Sequence, residues 1–190
     1  MKKVIILTGA IAISIMGSAQ NIYTLDKNHA RLSFNAVHIG ISHIEGNFKT
    51  FDATFVSSKE DFSDAQIEMS ADVNSINTEV APRDADLRDN FFEASKFPKL
   101  TFKSTSFTKT SGNNYKLKGL ITIHGITKPI EFNVVFNGKG QNPHTKKYSY
   151  GFTIIGKLNR QDFNVGGEPL LTGAGNEIDL KANVEFIISQ

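Results

Sequence analysis

The chain has 190 residues, 21 Lys and Arg against 19 Asp and Glu, and no cysteine. This near-balance of charge removes the electrostatic case for a nucleic-acid partner. The missing cysteines exclude disulfide staples, thiolate metal sites and cysteine nucleophiles, so the fold must rely on packing.

In chain order, "MKKVIILTGAIAISIMGSAQ" comes first. Lys2 and Lys3 give a charged start, Val4 to Met16 a mostly apolar run, and Gly17-Ser18-Ala19 a small-residue cleavage site. That is the pattern of a secretory signal peptide over residues 1–19, with Gln20 as the first mature residue. The apolar run falls short of the roughly 20 residues that a membrane span needs, and no cysteine follows for lipid attachment. Removing Lys2 and Lys3 brings the basic count down to the 19 of the acidic residues, so the exported protein is formally neutral. The expected location is periplasmic or secreted, and residues 20–190 are expected to form one domain.

Beyond Tyr23 almost every segment alternates apolar and polar residues, the period of a strand with one dry face. "HARLSFNAVHIG" places Leu32, Phe34 and Ala36 on one side, and "FDATFV" places Phe51, Ala53 and Phe55. "DAQIEMSADVNS" gives Ala65, Ile67, Met69, Ala71 and Val73. "APRDADLRDNFFEASKFP" breaks the pattern: Pro82 suits a first helical turn, Asp84 and Asp86 suit its positive end, and Leu87 with Phe91 forms an i, i+4 pair. A helix is expected over Ala81–Ser95, stopped by Pro98. Strands resume in "LTFKSTSF", "NNYKLKGLITIHG", "PIEFNVVFNG", "KYSYGFTIIGKLN" and "EIDLKANVEFIIS", separated by turn signals such as Ser111-Gly112, His124-Gly125 and Asn137-Gly138. About eight strands, several near ten residues long, predict an all-β antiparallel structure closed into a barrel.

The inward rows mix bulky residues with small ones: Ala36, Ala53, Ala65, Ala71, Gly119, Gly156 and Ala182. An eight-stranded barrel is either filled by its own side chains or holds one small ligand. Pattern alone leaves both open, because bulky neighbours can close such gaps by ordinary jigsaw packing. If a cavity exists, its lining is rich in the chain's 15 Phe, which carry no polar atom in need of a partner. The candidate apolar lining is Phe34, Ala36, Phe51, Phe55, Ile67, Met69, Phe91, Phe92, Phe102, Leu117, Ile121, Phe132, Val134, Phe152, Ile154, Val184 and Phe186. On an α-helix, adjacent Phe91 and Phe92 point about 100° apart, so one is expected in the core and the other at the cavity.

Three segments carry a family resemblance: "RDADLRDNFFEASKFPKLTFKST" (Arg83–Thr105), "LKGLITIHGITKPIEFNVVF" (Leu117–Phe136) and "GFTIIGKLNRQDFNV" (Gly151–Val165). The opening "YTLDKNHARLSFNAVHIGISHIEGNF" (Tyr23–Phe48) also fits. Together they resemble the YceI-like family of exported bacterial lipid-binding proteins. The resemblance implies an extended, eight-stranded, lipocalin-like antiparallel barrel with one short helix inserted midway, holding a polyisoprenoid or similar amphiphile. His29 and His38 match positions where that family often has histidine.

The polar residues are less telling. His38 shares the row of Leu32, Phe34 and Ala36 and is a candidate for a lipid head group, with Arg83 and Arg88 beside the helix. Each has a plainer alternative: a structural hydrogen bond for His38, ion pairs with Asp84, Asp86 or Asp89 for the arginines. "LNRQDF" reads as an Arg160–Asp162 pair bracing a turn, and "GGEPLLTGAG" as a loop, a candidate portal. No HExxH spacing or G-x-S-x-G is present, so neither a metal centre nor a cofactor is expected.

The expected function is therefore non-enzymatic: sequestration or transport of an isoprenoid-like or fatty lipid inside the barrel, with at most transient membrane contact. The alternatives are a filled barrel acting as a structural or stress-linked partner, and an enzyme on a small hydrophobic substrate with His38 as acid or base. Ligand identity and oligomeric state are not encoded in any motif.

Overall fold

The computed structural model describes residues 20–167 and 173–189. The signal-peptide reading of residues 1–19 falls outside them, as does the centre of the glycine-rich loop. The alternating segments form eleven strands: β1 (Asn21–Leu25), β2 (Arg31–His38), β3 (Ser42–Phe48), β4 (Phe51–Ser57), β5 (Gln66–Asp72), β6 (Ile76–Asn77), β7 (Lys99–Ser111), β8 (Asn114–Ile123), β9 (Ile126–Gln141), β10 (Tyr148–Asn159) and β11 (Ala174–Ile188).

These make eight staves. β1 and β2 are one stave bent at the 3-10 turn Lys27–His29, and β3 and β4 are one stave bent at Lys49-Thr50. β5 and β6 are joined through the turn Val73–Ser75. Every neighbour pairing is antiparallel, and β11 pairs with both β2 and β1, so the sheet closes into an eight-stranded barrel. Closure leaves the wall without long edges, which is how an all-β protein avoids pairing with other chains.

The bends have local causes. Asp26 caps the first turn: its carboxylate accepts from the Asn28 backbone N–H and the His29 ring Nδ1, each at 3.0 Å. Asp72 does the same for the third, accepting from Asn74 N–H at 2.9 Å. Such Asx caps compete with the strand ladder and release it for one turn.

The far end of the barrel, away from the helix, is closed by aromatics. The β4–β5 loop folds Phe62 inward, 2 % exposed, onto Tyr23, Phe55, Phe136, Tyr150 and Phe152 at ring distances of 5.2–6.2 Å. Asp64 holds that loop in shape. It accepts hydrogen bonds from both Ser57 and Ser58 hydroxyls and from the Ser58 backbone N–H. Burial would raise its pKa, but these hydrogen bonds outweigh burial and hold the carboxyl well below its ordinary 3.8. A depressed carboxyl stabilises the fold above its unfolded pKa, and that contribution is lost as pH falls below it. Asp64→Asn is therefore expected to cost about 1–3 kcal/mol at pH 7. The gap from the parent in urea unfolding should narrow as pH falls below the ordinary 3.8, because the unfolded parent takes up a proton there while the folded one still holds its carboxylate.

At the other end the connection between β6 and β7 crosses the mouth. Its helix is shorter than the sequence predicts. A single α-helical stretch, α1 (Ala81–Asp86), passes into a π-turn over Leu87–Phe91, and the left-handed Glu93 (φ +45°) ends it.

Candidate functional site

Inward-facing residues of the staves enclose two apolar chambers, stacked along the barrel. The inner chamber, about 100 Å³, is lined by Leu32, Phe51, Ala53, Phe55, Ile67, Met69, Phe102, Phe107, Leu117, Phe132, Phe152, Ile154, Ala182, Val184 and Phe186. The helix-end chamber, about 90 Å³, is lined by Phe34, Ala36, Phe48, Leu87, Phe91, Phe92, Leu100, Ile123, Leu158, Arg160, Phe163, Val165, Ala174, Ile178 and Leu180. A water in either would find few of the two to four polar partners it needs, so such space stays dry or takes an apolar guest.

Of the lining anticipated from sequence, all but Ile121 and Val134 border one chamber. Those two are each 2 % exposed and packed in the core behind it. The small residues divide into two groups. Ala36, Ala53 and Ala182 do face chamber space. Ala71 is fully buried, with Phe51 and Leu100 as its flanking partners across the ladder, and Ala65 is also buried; neither lines a chamber. Gly119 and Gly156 are roofed by rings: a Cβ at Gly119 would stand 2.4 Å from Phe102, and one at Gly156 2.4 Å from Phe132. The glycines thus let a neighbouring Phe lie flat on the wall.

The mouth is built by the β6–β7 connection. In the π-turn the Phe92 N–H donates to Leu87 C=O at 2.9 Å, a wider loop than an α-helical turn. Leu87, Phe91 and Phe92 all reach the helix-end chamber. The expected division of Phe91 and Phe92 between core and cavity is corrected on this point: the π-turn and the helix stop at Phe92 bring both rings inward. π-turns of this kind recur at functional sites.

Arg160 is the residue that sequence reasoning misplaced most. It pairs with no carboxylate of its own turn; Asp162 lies 3.7 Å from Lys128 instead. Arg160 is 4 % exposed and donates to the carbonyls of Val165 (2.5 Å), Gly167, Ala174 and Gly175 (each 3.1 Å). Its guanidinium also sits 5.9 Å from the Phe91 ring centre. It therefore ties both described ends of the glycine-rich loop to the helix-end chamber. Among the described lining residues of the two chambers it is the one ionisable group.

The proposed head-group residues do not converge on a chamber. Arg83 donates to the Thr78 hydroxyl (2.8 Å) and carbonyl (2.9 Å), and Arg88 approaches Asp89 at 3.3 Å, the plainer role weighed for it. His38 is exposed on the rim and lines neither chamber, despite its inward row, because β2 ends there. His124, read from the sequence only as part of a turn signal, is the more embedded histidine. Its ring nitrogens face Phe163 C=O (3.2 Å) and Glu93 Oε2 (2.9 Å), and Phe97 packs against it. Hydrogen bonds from Lys96 and then His124 lower the Glu93 pKa. This latch joins the segment behind Phe92 to the β8–β9 turn. Asp26, His29 and Glu185 bring ligand atoms within 4.8 Å of one another; the Asp26–His29 hydrogen bond that bends the first stave, and raises the His29 pKa, accounts for their meeting.

A closed eight-stranded barrel with an apolar, phenylalanine-lined interior and one covered mouth defines a lipocalin-like class of protein. The YceI-like domain model matches residues 23–186, and the chain belongs to that family. It is 33 % identical to a UPF0312 protein of Vibrio cholerae serotype O1, covering 98 % of this chain and 99 % of that one. It is 35 % identical to Protein YceI of Salmonella arizonae, covering 87 % and 86 %. Among solved structures, BcnA of Burkholderia cenocepacia superposes with a TM-score of 0.74 at 22 % identity, covering 85 % of this chain and 98 % of that one. A Campylobacter jejuni YceI protein gives 0.70 at 28 % identity, covering 81 % and 90 %. A domain from Saccharophagus degradans, described as polyisoprenoid binding, gives 0.61 at 12 % identity, covering 87 % and 98 %.

Proposed function

We propose that the protein is a carrier that holds the hydrocarbon part of a lipid, isoprenoid-like or fatty, inside the barrel and shields it from water. The observation that carries this reading is the pair of chambers whose described lining is apolar apart from Arg160. Each methylene moved from water into such a lining contributes roughly 0.8 kcal/mol, so a chain binds usefully with no directed bond. The Saccharophagus domain, described as polyisoprenoid binding, shares the fold; the ligand class for this chain rests on its own lining. A binding role fits better than catalysis, because general acid–base work needs a positioned titratable group at the reacting atom. The described lining offers Arg160 alone, engaged by backbone carbonyls.

The amino-terminal pattern of Lys2, Lys3, an apolar run and Gly17-Ser18-Ala19 supports export, with residues 20–190 as the working single domain. Protein purified from a bacterial envelope and extracted with organic solvent should begin at Gln20 and release a long-chain lipid, seen by mass spectrometry. A chain that starts at Met1 would contradict export. Protein free of lipid that also takes up no prenyl or fatty compound would contradict the carrier.

A further inference from the structure

Three segments meet at one histidine. Glu93, in the β6–β7 connection, places Oε2 at 2.9 Å from Nε2 of His124 on the β8–β9 turn. The Phe163 carbonyl, in the turn after β10, stands 3.2 Å from Nδ1 of the same ring. Each of these segments also lines the helix-end chamber, through Phe92, Ile123 and Phe163. We propose that His124 is a proton-operated latch on the mouth: doubly protonated, its ring clips the three segments together, and loss of one proton loosens the β6–β7 connection and speeds lipid exchange. This adds regulation to the carrier reading and rests on it.

Both neighbours of the ring are acceptors only. A carboxylate and a carbonyl have no proton to give, while a neutral imidazole carries one N–H and one bare nitrogen lone pair. In either neutral tautomer one nitrogen lone pair therefore faces an oxygen lone pair. The imidazolium donates to both. The side chain is 11 % exposed, which leaves little room for water to bridge the mismatch. Phe97 covers the ring, with centres 4.4 Å apart, and is itself seated on Gly125, where a Cβ would stand 2.7 Å from it. Glu93 and His124 both have left-handed backbone, φ +45° and +50°. Few residues other than glycine adopt it, and here both partners of one contact do.

Among the described residues, Glu93 is the charged group that faces the ring. Lys96 binds its other oxygen and, with His124, holds the carboxyl below its ordinary 4.5. It therefore stays ionised across the range where imidazole titrates. On the β10 side, Asp162 precedes Phe163 and is engaged by Lys128 of β9 at 3.7 Å. Ile123 and Gly125, on the turn itself, carry no charge. The latch is complete while the ring is doubly protonated and the carboxyl ionised. Its contribution is lost as pH rises through the imidazole range. The amides of Ala94 and Phe97, which donate to the Arg88 and Glu93 carbonyls at 2.9 and 3.0 Å, then open more often.

The test measures how fast geranylgeraniol, an uncharged long-chain alcohol, leaves the protein for an excess of phosphatidylcholine vesicles. It is run at about pH 5.5 and about pH 8.5, on either side of the imidazole range. The parent should release the alcohol about ten-fold faster at the higher pH, the scale of one lost hydrogen bond to a charged group. Glu93→Gln should release it slowly at both, because the amide can donate to the neutral Nε2 while Nδ1–H serves the Phe163 carbonyl. His124→Asn should release it fast at both: Asn tolerates the left-handed backbone but cannot reach both acceptors. Nitrogen-15 spectra of the parent ring should show both nitrogens protonated at the lower pH and one at the higher. Hydrogen exchange at Ala94 and Phe97, corrected for its intrinsic pH dependence, needs no ligand. It should quicken with pH in the parent and not in Glu93→Gln. A parent with pH-independent release and exchange, or a Glu93→Gln variant that keeps the parent's pH response, would overturn the latch. A parent that takes up no geranylgeraniol would overturn the carrier reading instead, and the amide rates alone would then decide the latch.

Discussion

Phe62→Ala is expected to cost about 3–5 kcal/mol of stability, the range for truncating a buried Phe. Phe62 has φ +59°, a backbone conformation that bulky residues rarely adopt. The loop keeps it because the ring fills the far end of the barrel, touching five other aromatic rings from β1, β4, β9 and β10. Edge-to-face pairs of this kind add about 0.5–1.5 kcal/mol each beyond burial, so the plug is a cooperative unit. Removing it leaves a hole adjoining the inner chamber, where Phe55 and Phe152 would have water on one side. Urea unfolding should show the lost stability. Retention of a bound lipid should fall in parallel, since the chamber is no longer dry at its closed end. A variant with parental stability and parental lipid retention would show that the far end is closed by something other than this ring.

Arg160→Met is the second large change. Methionine keeps most of the stem's volume but leaves the carbonyls of Val165, Gly167, Ala174 and Gly175 without their shared donor. A buried polar group left unsatisfied costs about 1–3 kcal/mol. With some carbonyls rehydrated, the expected net loss is about 3 kcal/mol. Because Phe91 packs between Arg160 and Gly166, the damage should extend to the helix-end chamber. Arg160→Lys should rescue little, since an ammonium cannot present a planar fork to several acceptors at once. Thermal unfolding and lipid off-rates, measured together, would separate a stabilising role from a role at the mouth. A near-neutral result in both would remove Arg160 from the account.

The eight-stave barrel was legible because period-two alternation survives in long runs such as Tyr115–Ile123 and Ile178–Ile188. The three segments not foreseen as separate strands, β1, β3 and β6, are short continuations of staves. Their signal is weak for physical reasons: β6 has two residues, and β3 carries Gly46 in its inward row, where Phe34 lies over the gap. The chamber lining was legible for the same reason as the strands, since one face of each alternation must be inside. What each small residue does was not, because whether a gap is open or roofed depends on the ring opposite; Ala182 and Gly156, two residues apart in their inward rows across paired strands, came out differently. The mouth was the least legible part. The π-turn that brings Phe91 and Phe92 inward has no sequence signature. The buried Arg160 looks from sequence like an ordinary partner for Asp162, because backbone carbonyls, four of them among its partners, leave no mark in a sequence.

The central claim is that the inner chamber receives hydrocarbon. The chain's three methionines are Met1, Met16 and Met69, so protein beginning at Gln20 keeps Met69 alone, and Met69 lines the inner chamber. A sample labelled with carbon-13 at the methionine methyl should show one resonance. The account predicts that added geranylgeraniol moves that resonance and gives Overhauser contacts between the Met69 methyl and the ligand's own methyl groups. A resonance that stays in place, with no such contact at saturating ligand, would contradict it.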